Sequence, residues 1–193
     1  MPFETIIRKI TRGAQIQASQ LDSLVSDEVT DYPYLMLANI QNGMIDEDLP
    51  FLSEIEPKME KYCIKNNSLI ISKNGAPFKV AIANVAPGKK LLANGNLYVI
   101  ELDEDKVDPY YIKAFFESDK GAAALRSIVV GAVIPNIGVE QLKKLNVPLV
   151  SLEELREISL KYQALTDEVK ILKRKVDKAI NSLKHIFDES EEA

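Results

Sequence analysis

The 193-residue sequence has no tryptophan, one cysteine and one histidine. The lone Cys63 excludes an intrachain disulfide, which suits a reducing compartment. One Cys and one His cannot build a Cys/His zinc site within one chain. A Ser-His-Asp or Cys-His catalytic unit would have to use His185, far out in the C-terminal segment. No glycine-rich phosphate loop is present, neither GxxxxGK followed by Ser or Thr nor GxGxxG. No apolar run reaches the ~20 residues that a membrane-spanning helix needs, and the start, MPFETIIRKI, lacks the apolar stretch of a signal peptide. These absences predict a soluble, cytoplasmic chain without a catalytic centre or metal of its own.

Positive charge is also in deficit. There are 24 Lys and Arg against 29 Asp and Glu, for a net charge of −5. That argues at first against a nucleic-acid partner, whose phosphates must be neutralised. The charge is sorted along the chain, however. Residues 22–60 hold ten acids and one base, Lys58. Residues 61–100 hold six lysines (Lys61, Lys65, Lys73, Lys79, Lys89, Lys90) and no acid. Residues 101–119 hold seven acids and two bases, and residues 120–150 hold Lys120, Arg126, Lys143 and Lys144 against Glu140 alone. Such sorting predicts a basic face after folding; clustering by chance on a solvated surface is the alternative.

Glycine and proline are absent from residues 151–193, and this divides the chain in two. The predicted fold class is α+β: a small mixed domain over 1–150, one long coiled-coil-forming C-terminal helix over 151–189, and an acidic tail over 190–193. In the first part Ile6, Ile7 and Ile10 precede a turn at Gly13. Residues 34–40 read as a strand ended by the turn pair Asn42-Gly43. Residues 68–72 and 79–83 read as a hairpin-like pair with a basic tip at 73–77. Residues 97–102 read as another strand. Asp108-Pro109 reads as a helix start, because the carboxylate caps free N–H groups and proline fits the first turn. A second helical stretch covers roughly 121–128, and 145–149 reads as a last strand.

The C-terminal segment carries the clearest pattern. Apolar residues fall at Leu155, Ile158, Tyr162, Leu165, Val169, Leu172, Val176, Ala179, Leu183 and Ile186. The steps alternate three and four, the 3.5-residue period of a coiled-coil seam. Ser151 with Glu154 offers a capping box at its start. At ~1.5 Å per residue the helix reaches roughly 50 Å, too long to bury against a small domain. It therefore calls for a partner helix. The predicted pairing residues are Ile158, Tyr162, Leu165, Val169, Leu172, Val176 and Leu183.

Two short matches to catalytic motifs are weak. Glu56-Pro57-Lys58 has the E-x-K spacing of some metal-dependent nucleases, but no partner acid in a strand precedes it. Asp108-Pro109-Tyr110-Tyr111 superficially resembles the Asp/Asn-Pro-Pro-Tyr/Phe motif of amino-methyltransferases, which holds a flipped base's exocyclic amine. The second proline is missing, and a capped helix start accounts for the same residues.

In order and spacing, several segments together resemble the specificity subunits of type I restriction–modification systems. The entry segment Ile10-Thr11-Arg12-Gly13 leads to Tyr32-Pro33-Tyr34-Leu35-Met36-Leu37-Ala38-Asn39-Ile40, similar to the family's aromatic–apolar–Asn/Asp strand. Leu69-Ile70-Ile71-Ser72-Lys73-Asn74-Gly75-Ala76-Pro77-Phe78-Lys79-Val80-Ala81-Ile82 resembles its apolar-Ser-x-x-Gly-x-x-Gly-Lys-apolar segment. Gly131-Ala132-Val133-Ile134-Pro135-Asn136-Ile137 through Val147-Pro148-Leu149 resembles the segment that closes the domain, and the long helix follows in the right place. Phe78 replaces the second glycine of the middle motif, and the Pro-Pro and Glu-Gln pairs before the helix are missing. The family's subunits carry two recognition domains and two helices, where this chain has one of each.

The resemblance implies a noncatalytic reader of double-stranded DNA. Residues 1–150 would be a target-recognition domain and 151–189 a dimerising spacer helix. It implies a partner adenine methyltransferase subunit that carries S-adenosylmethionine, a restriction subunit as a further partner, and pairing with a second copy or a second specificity chain. Lysines and arginines would hold phosphates, and asparagines would read base edges, since an amide pairs both adenine edges in the major groove. The candidate DNA-binding residues are Arg12, Lys73, Asn74, Lys79, Lys89, Lys90, Arg126 and Asn136. Asn84, Asn94 and Asn96 are further amides, although asparagine is also a common turn residue. The rival reading is a coiled-coil protein-interaction module without DNA binding.

Overall fold

The computed structural model describes residues 1–131, 133–148 and 150–186. Along the chain the strands are β1 Ile7–Arg12, β2 Val25–Ser26, β3 Tyr32–Leu35, β4 Ile40–Gln41, β5 Met44–Ile45, β6 Phe51–Leu52, β7 Leu69–Ser72, β8 Val80–Ile82, β9 Leu92–Ala93, β10 Leu97–Leu102, β11 Val129–Val130 and β12 Asn136–Ile137. The helices are α1 Ala18–Leu24, α2 Pro109–Glu117, α3 Asp119–Ser127, α4 Val139–Lys144 and α5 Leu152–Lys184. The mix of short strands and helices with one long terminal helix is the predicted α+β arrangement.

The main sheet has the order β1-β10-β7-β8, and every neighbouring pair is antiparallel. β7, β8 and most of β10 read as continuous apolar runs because both faces are covered, whereas the edge strand β1 carries Arg8, Lys9 and Arg12 and is only partly buried. Leu69, Ile71, Tyr98, Ile100 and Leu102 join a core with Phe3, Ile6, Ile112, Phe116 and Leu125. The intervening Ile70, Leu97 and Val99 face a second core with Leu35, Ile40 and Ile64. The second sheet has the order β2-β6-β3-β9, in which β3 and β9 run parallel. It closes a third cluster around Tyr34, Leu52, Met59 and Leu92.

Local chemistry sets the ends of the elements. Asp108 caps α2 by accepting from the Tyr110 N–H at 2.7 Å, with Pro109 in the first turn. That assigns a structural role to the residues of the methyltransferase-like match. Ser118 caps α3 and Ser151 caps α5, accepting from Gly121 and Glu154. Asn42 and Gly43, both at positive φ, form the two-residue turn between β4 and β5. The segment 34–40 departs from expectation. The strand stops at Leu35, and a 3₁₀ turn spans Leu37–Asn39. There the Asn39 side chain accepts from the Met36 N–H at 3.0 Å, a local bond that turns the backbone away from the sheet. The segment 145–149 is likewise no regular strand; Asn146 makes one isolated bridge, to Pro2, and Leu149 lies outside the described residues.

α5 packs on its own domain along the first part of its length. Leu155 and Ile158 lie against the first core, and Ser159 is buried. Tyr162 meets α2, where its hydroxyl bonds to both Lys113 and Glu117. Farther along, Lys173 pairs with Asp46 at 3.1 Å, and Arg174 pairs with Glu47. Of the predicted pairing residues, Ile158 and Tyr162 are therefore occupied by the chain's own domain. Leu165, Val169, Leu172, Val176 and Leu183 remain exposed. The helix ends at Lys184, and the end of the predicted segment 151–189 and the acidic tail 190–193 lie outside the described residues.

Candidate nucleic-acid interface

One end of the main sheet gathers residues that are distant in sequence. β1 ends there at Arg12, β7 passes into the 73–79 turn, and β10 begins after Asn94-Gly95-Asn96. The ribbon formed by β11 and β12 joins this end through main-chain bonds. The Gly75 N–H donates to the Pro135 carbonyl at 3.0 Å, and the Ile137 N–H donates to the Lys73 carbonyl at 3.0 Å. Asn74 and Asn136 form an antiparallel bridge, and the buried Tyr98 hydroxyl donates to the Ile137 carbonyl at 2.8 Å.

Four asparagines meet here, in two kinds of role. Asn94 is structural: its amide donates to the Tyr34 hydroxyl at 2.7 Å, and its oxygen accepts from the Asn96 N–H at 2.9 Å. Asn96 is exposed, and its side-chain oxygen accepts from the Asn74 amide at 3.2 Å. The Asn136 amide donates to the Val130 carbonyl at 3.2 Å. Asn84 follows β8 and lies at the opposite end of that strand from the 73–79 turn. Gly13 makes the close approach possible, because a Cβ there would sit 2.2 Å from the Asn94 carbonyl oxygen.

Because Tyr34 is fully buried, Asn94→Ala strips its hydroxyl of a donor. We expect the variant to lose about 1–3 kcal/mol. Urea unfolding of Asn94→Ala, Tyr34→Phe and the double variant should show the two losses to be strongly coupled. Additive losses would show that the bond contributes nothing.

The basic block of the sequence does not form one basic face. Lys65 pairs with Glu101 at 2.7 Å, Lys89 with Asp31 at 2.8 Å and Lys90 with Glu60 at 2.6 Å. The Lys79 ammonium donates to the Leu37 carbonyl at 3.0 Å, and Lys61 lies over the Tyr62 ring. The Glu60 hydrogen bond raises the pKa of Lys90 above the ordinary lysine value. Acid-rich and base-rich stretches are thus folded against each other. Among the candidate cations, Arg12 and Lys73 lie at the asparagine end. Arg12 donates to the Gly95 carbonyl at 2.6 Å, and Lys73 has no ion-pair partner among the described residues. Arg126 is exposed on α3, three residues before β11. The segments that meet here come from 5–21, 61–100 and 120–139, none of which contains an acid.

The sequence offers Asn96 only as a further amide and gives Gly13 and Tyr34 no place in the site. Asn94-Gly95-Asn96 carries a turn signal, but nothing local reveals that Asn96 holds Asn74. Among the described residues no group of three or more His, Cys, Asp or Glu could hold a metal ion, and no helix is long and apolar enough to cross a membrane.

The profile of the type I restriction modification DNA specificity domain matches residues 14–182. The chain belongs to that family. Its fold is similar to that of the S subunit of a type I restriction–modification system from M. genitalium. The TM-score is 0.66 at 14% identity over 92% of this chain and 41% of that one. A chain from a structure addressing complex assembly and conformational transition of the type I R-M system matches with TM-score 0.63 and 16% identity, over 96% of this chain and 42% of that one. The HsdS subunit from Thermoanaerobacter tengcongensis gives 0.54 and 16%, over 91% and 38%. The specificity domain described here thus spans about two fifths of the length of each of these structures. No curated protein matches the sequence.

Proposed function

We propose that this specificity domain reads one half-site of a split DNA target and directs a partner adenine methyltransferase subunit to it. The observation that carries the reading is the end of the main sheet where Asn74, Asn96 and Asn136 converge beside Arg12 and Lys73, on chain segments that contain no acid. Cations position a duplex by its phosphates, while amides read base edges. Arg126, on the exposed face of α3, is a further phosphate contact. S-adenosylmethionine belongs to the methyltransferase subunit, and a restriction subunit is a further partner. This chain's part is to bind and orient the DNA.

The exposed stretch of α5 supports the second half of the proposal. Leu165, Val169, Leu172, Val176 and Leu183 form a seam for a partner helix, from a second copy or from a second specificity chain. Paired helices would hold two reading ends at a fixed separation.

The reading is tested by fluorescence anisotropy on duplexes selected from a random-sequence pool, titrated with salt. Lys73→Glu is the clean variant, because Lys79 also holds the Leu37 carbonyl. We expect weaker binding and a log–log salt slope shallower by about 0.9 for the lost phosphate contact. No salt-dependent binding to any duplex by the wild type would leave the coiled-coil interaction module as the reading.

A further inference from the structure

The tip of the β11–β12 ribbon exposes apolar side chains beside the amides of Asn74 and Asn136. Val133 is 92% exposed, Ile134 65% and Val130 46%. Single exposed apolar residues are ordinary on protein surfaces. Three within five residues are a cluster that water disfavours.

The base of the tip is firmly built. Gly131 has φ +91°, and a Cβ on it would lie 2.7 Å from the Ile134 carbonyl oxygen, so the turn closes only with glycine there. The Asn136 amide bonds across the ribbon to the Val130 carbonyl. Pro135 and Ile137 are tied to the 73–75 segment, and Ile137 also to Tyr98. An exposed apolar tip on a braced base can push against a partner without folding back.

The occupant follows from the setting. Ile134 lies two residues from Asn136, and Asn136 bridges to Asn74. The ribbon and its neighbours carry no acid between 120 and 139 or between 61 and 100, and Arg126 precedes the ribbon by three residues. An apolar point framed by amides and cations suits stacked bases lined by phosphates better than an apolar protein surface. Isoleucine and proline are among the side chains that proteins insert between base steps, unstacking them and bending the duplex. Tip residues Ile134 and Pro135 are of this kind.

We infer that Val133 and Ile134 form a wedge that enters between two stacked base pairs of the target. The inference rests on the reading that this end faces DNA. A wedge adds a source of selectivity that needs no hydrogen bond, because flexible pyrimidine–purine steps open at lower cost.

The test uses the full chain and a duplex recovered by selection, with 2-aminopurine placed at successive adenines. Binding is followed by anisotropy and unstacking by 2-aminopurine fluorescence. We expect one step to brighten on binding, and the brightening to vanish in the Val133→Ser, Ile134→Ser variant while binding to the duplex persists. Both side chains are exposed, so the variant should unfold at the wild-type temperature. Val133→Leu with Ile134→Leu should keep the signal. Wild-type binding with no brightened step, or brightening that survives in the serine variant, overturns the wedge and leaves DNA reading intact. Absence of binding to any duplex overturns both.

Discussion

Replacing Leu165 and Leu172 by aspartate should turn a dimer into a folded monomer and abolish preference for a split target. Both leucines sit about half exposed, at 52% and 51%, on a helix whose other contacts are already made. Val169 and Val176 alternate with them in the seam. Valine at one seam position and leucine at the other favours two strands, at least in parallel pairs. The double substitution places four carboxylates in a two-fold seam, and desolvating each without a partner costs several kcal/mol. Lys173 and Arg174 point to the chain's own Asp46 and Glu47, so the fold of each chain should survive. The resemblance points to an antiparallel pair, with reading ends at opposite extremes. A symmetric dimer would then read two inverted copies of one half-site. Light scattering should give twice 21.6 kDa for the wild type and 21.6 kDa for the variant. A monomeric wild type at micromolar concentration would overturn the homodimer and leave a second specificity chain as the partner.

Lys113→Met should destabilise the chain by about 3 kcal/mol, at the lower end of what breaking a buried ion pair costs. The Lys113 side chain is 3% exposed and pairs with Glu117 at 3.1 Å. Its ammonium lies 4.5 Å from the centre of the Tyr162 ring and bonds to the tyrosine hydroxyl. Burial pulls the lysine pKa below its ordinary value, and Glu117 partly restores it. Methionine keeps the stem but leaves the Glu117 carboxylate without its cation. Glu117 is partly exposed, which is why the loss falls at the lower end. Adding Glu117→Gln to Lys113→Met should recover much of the lost stability in urea unfolding. Equal midpoints for wild type and Lys113→Met would show that α5 is seated without this pair.

Most of the main sheet was legible because β7, β8 and β10 are covered on both faces. Apolar runs at 69–72, 80–82 and 97–102 stand out whatever the neighbours are, and Asp108-Pro109 announces a helix from local chemistry alone. The short strands β2, β6 and β9 have two residues each and no measurable period. The charge blocks misled for a different reason. Order along the chain says nothing of which block folds against which, and Lys89 and Lys90 found their carboxylates in the acid-rich stretch before them. The three–four apolar stripe of α5 is visible in the sequence, but not what covers it. A three–four pattern cannot say whether Ile158 and Tyr162 meet another chain or their own α2. In the site, Asn74 and Asn136 were named as separate residues, but their bridge joins positions 62 apart and has no local signal.

The loops at the asparagine end are fastened mainly through their backbones. Gly75 bonds to Pro135, Lys73 to both Asn96 and Ile137, and Gly13 to Leu97, all by N–H and carbonyl groups. Such bonds are indifferent to the side chains that ride on them. Residues 74 and 96 can therefore be exchanged for other donors and acceptors without dismantling their support, whereas the Asn136 side chain also braces the ribbon through the Val130 carbonyl. Positions 13, 34 and 94 have no such freedom. A new target would then require a handful of substitutions on an unchanged frame, and a library varied at positions 74 and 96 alone should yield folded proteins with different DNA preferences.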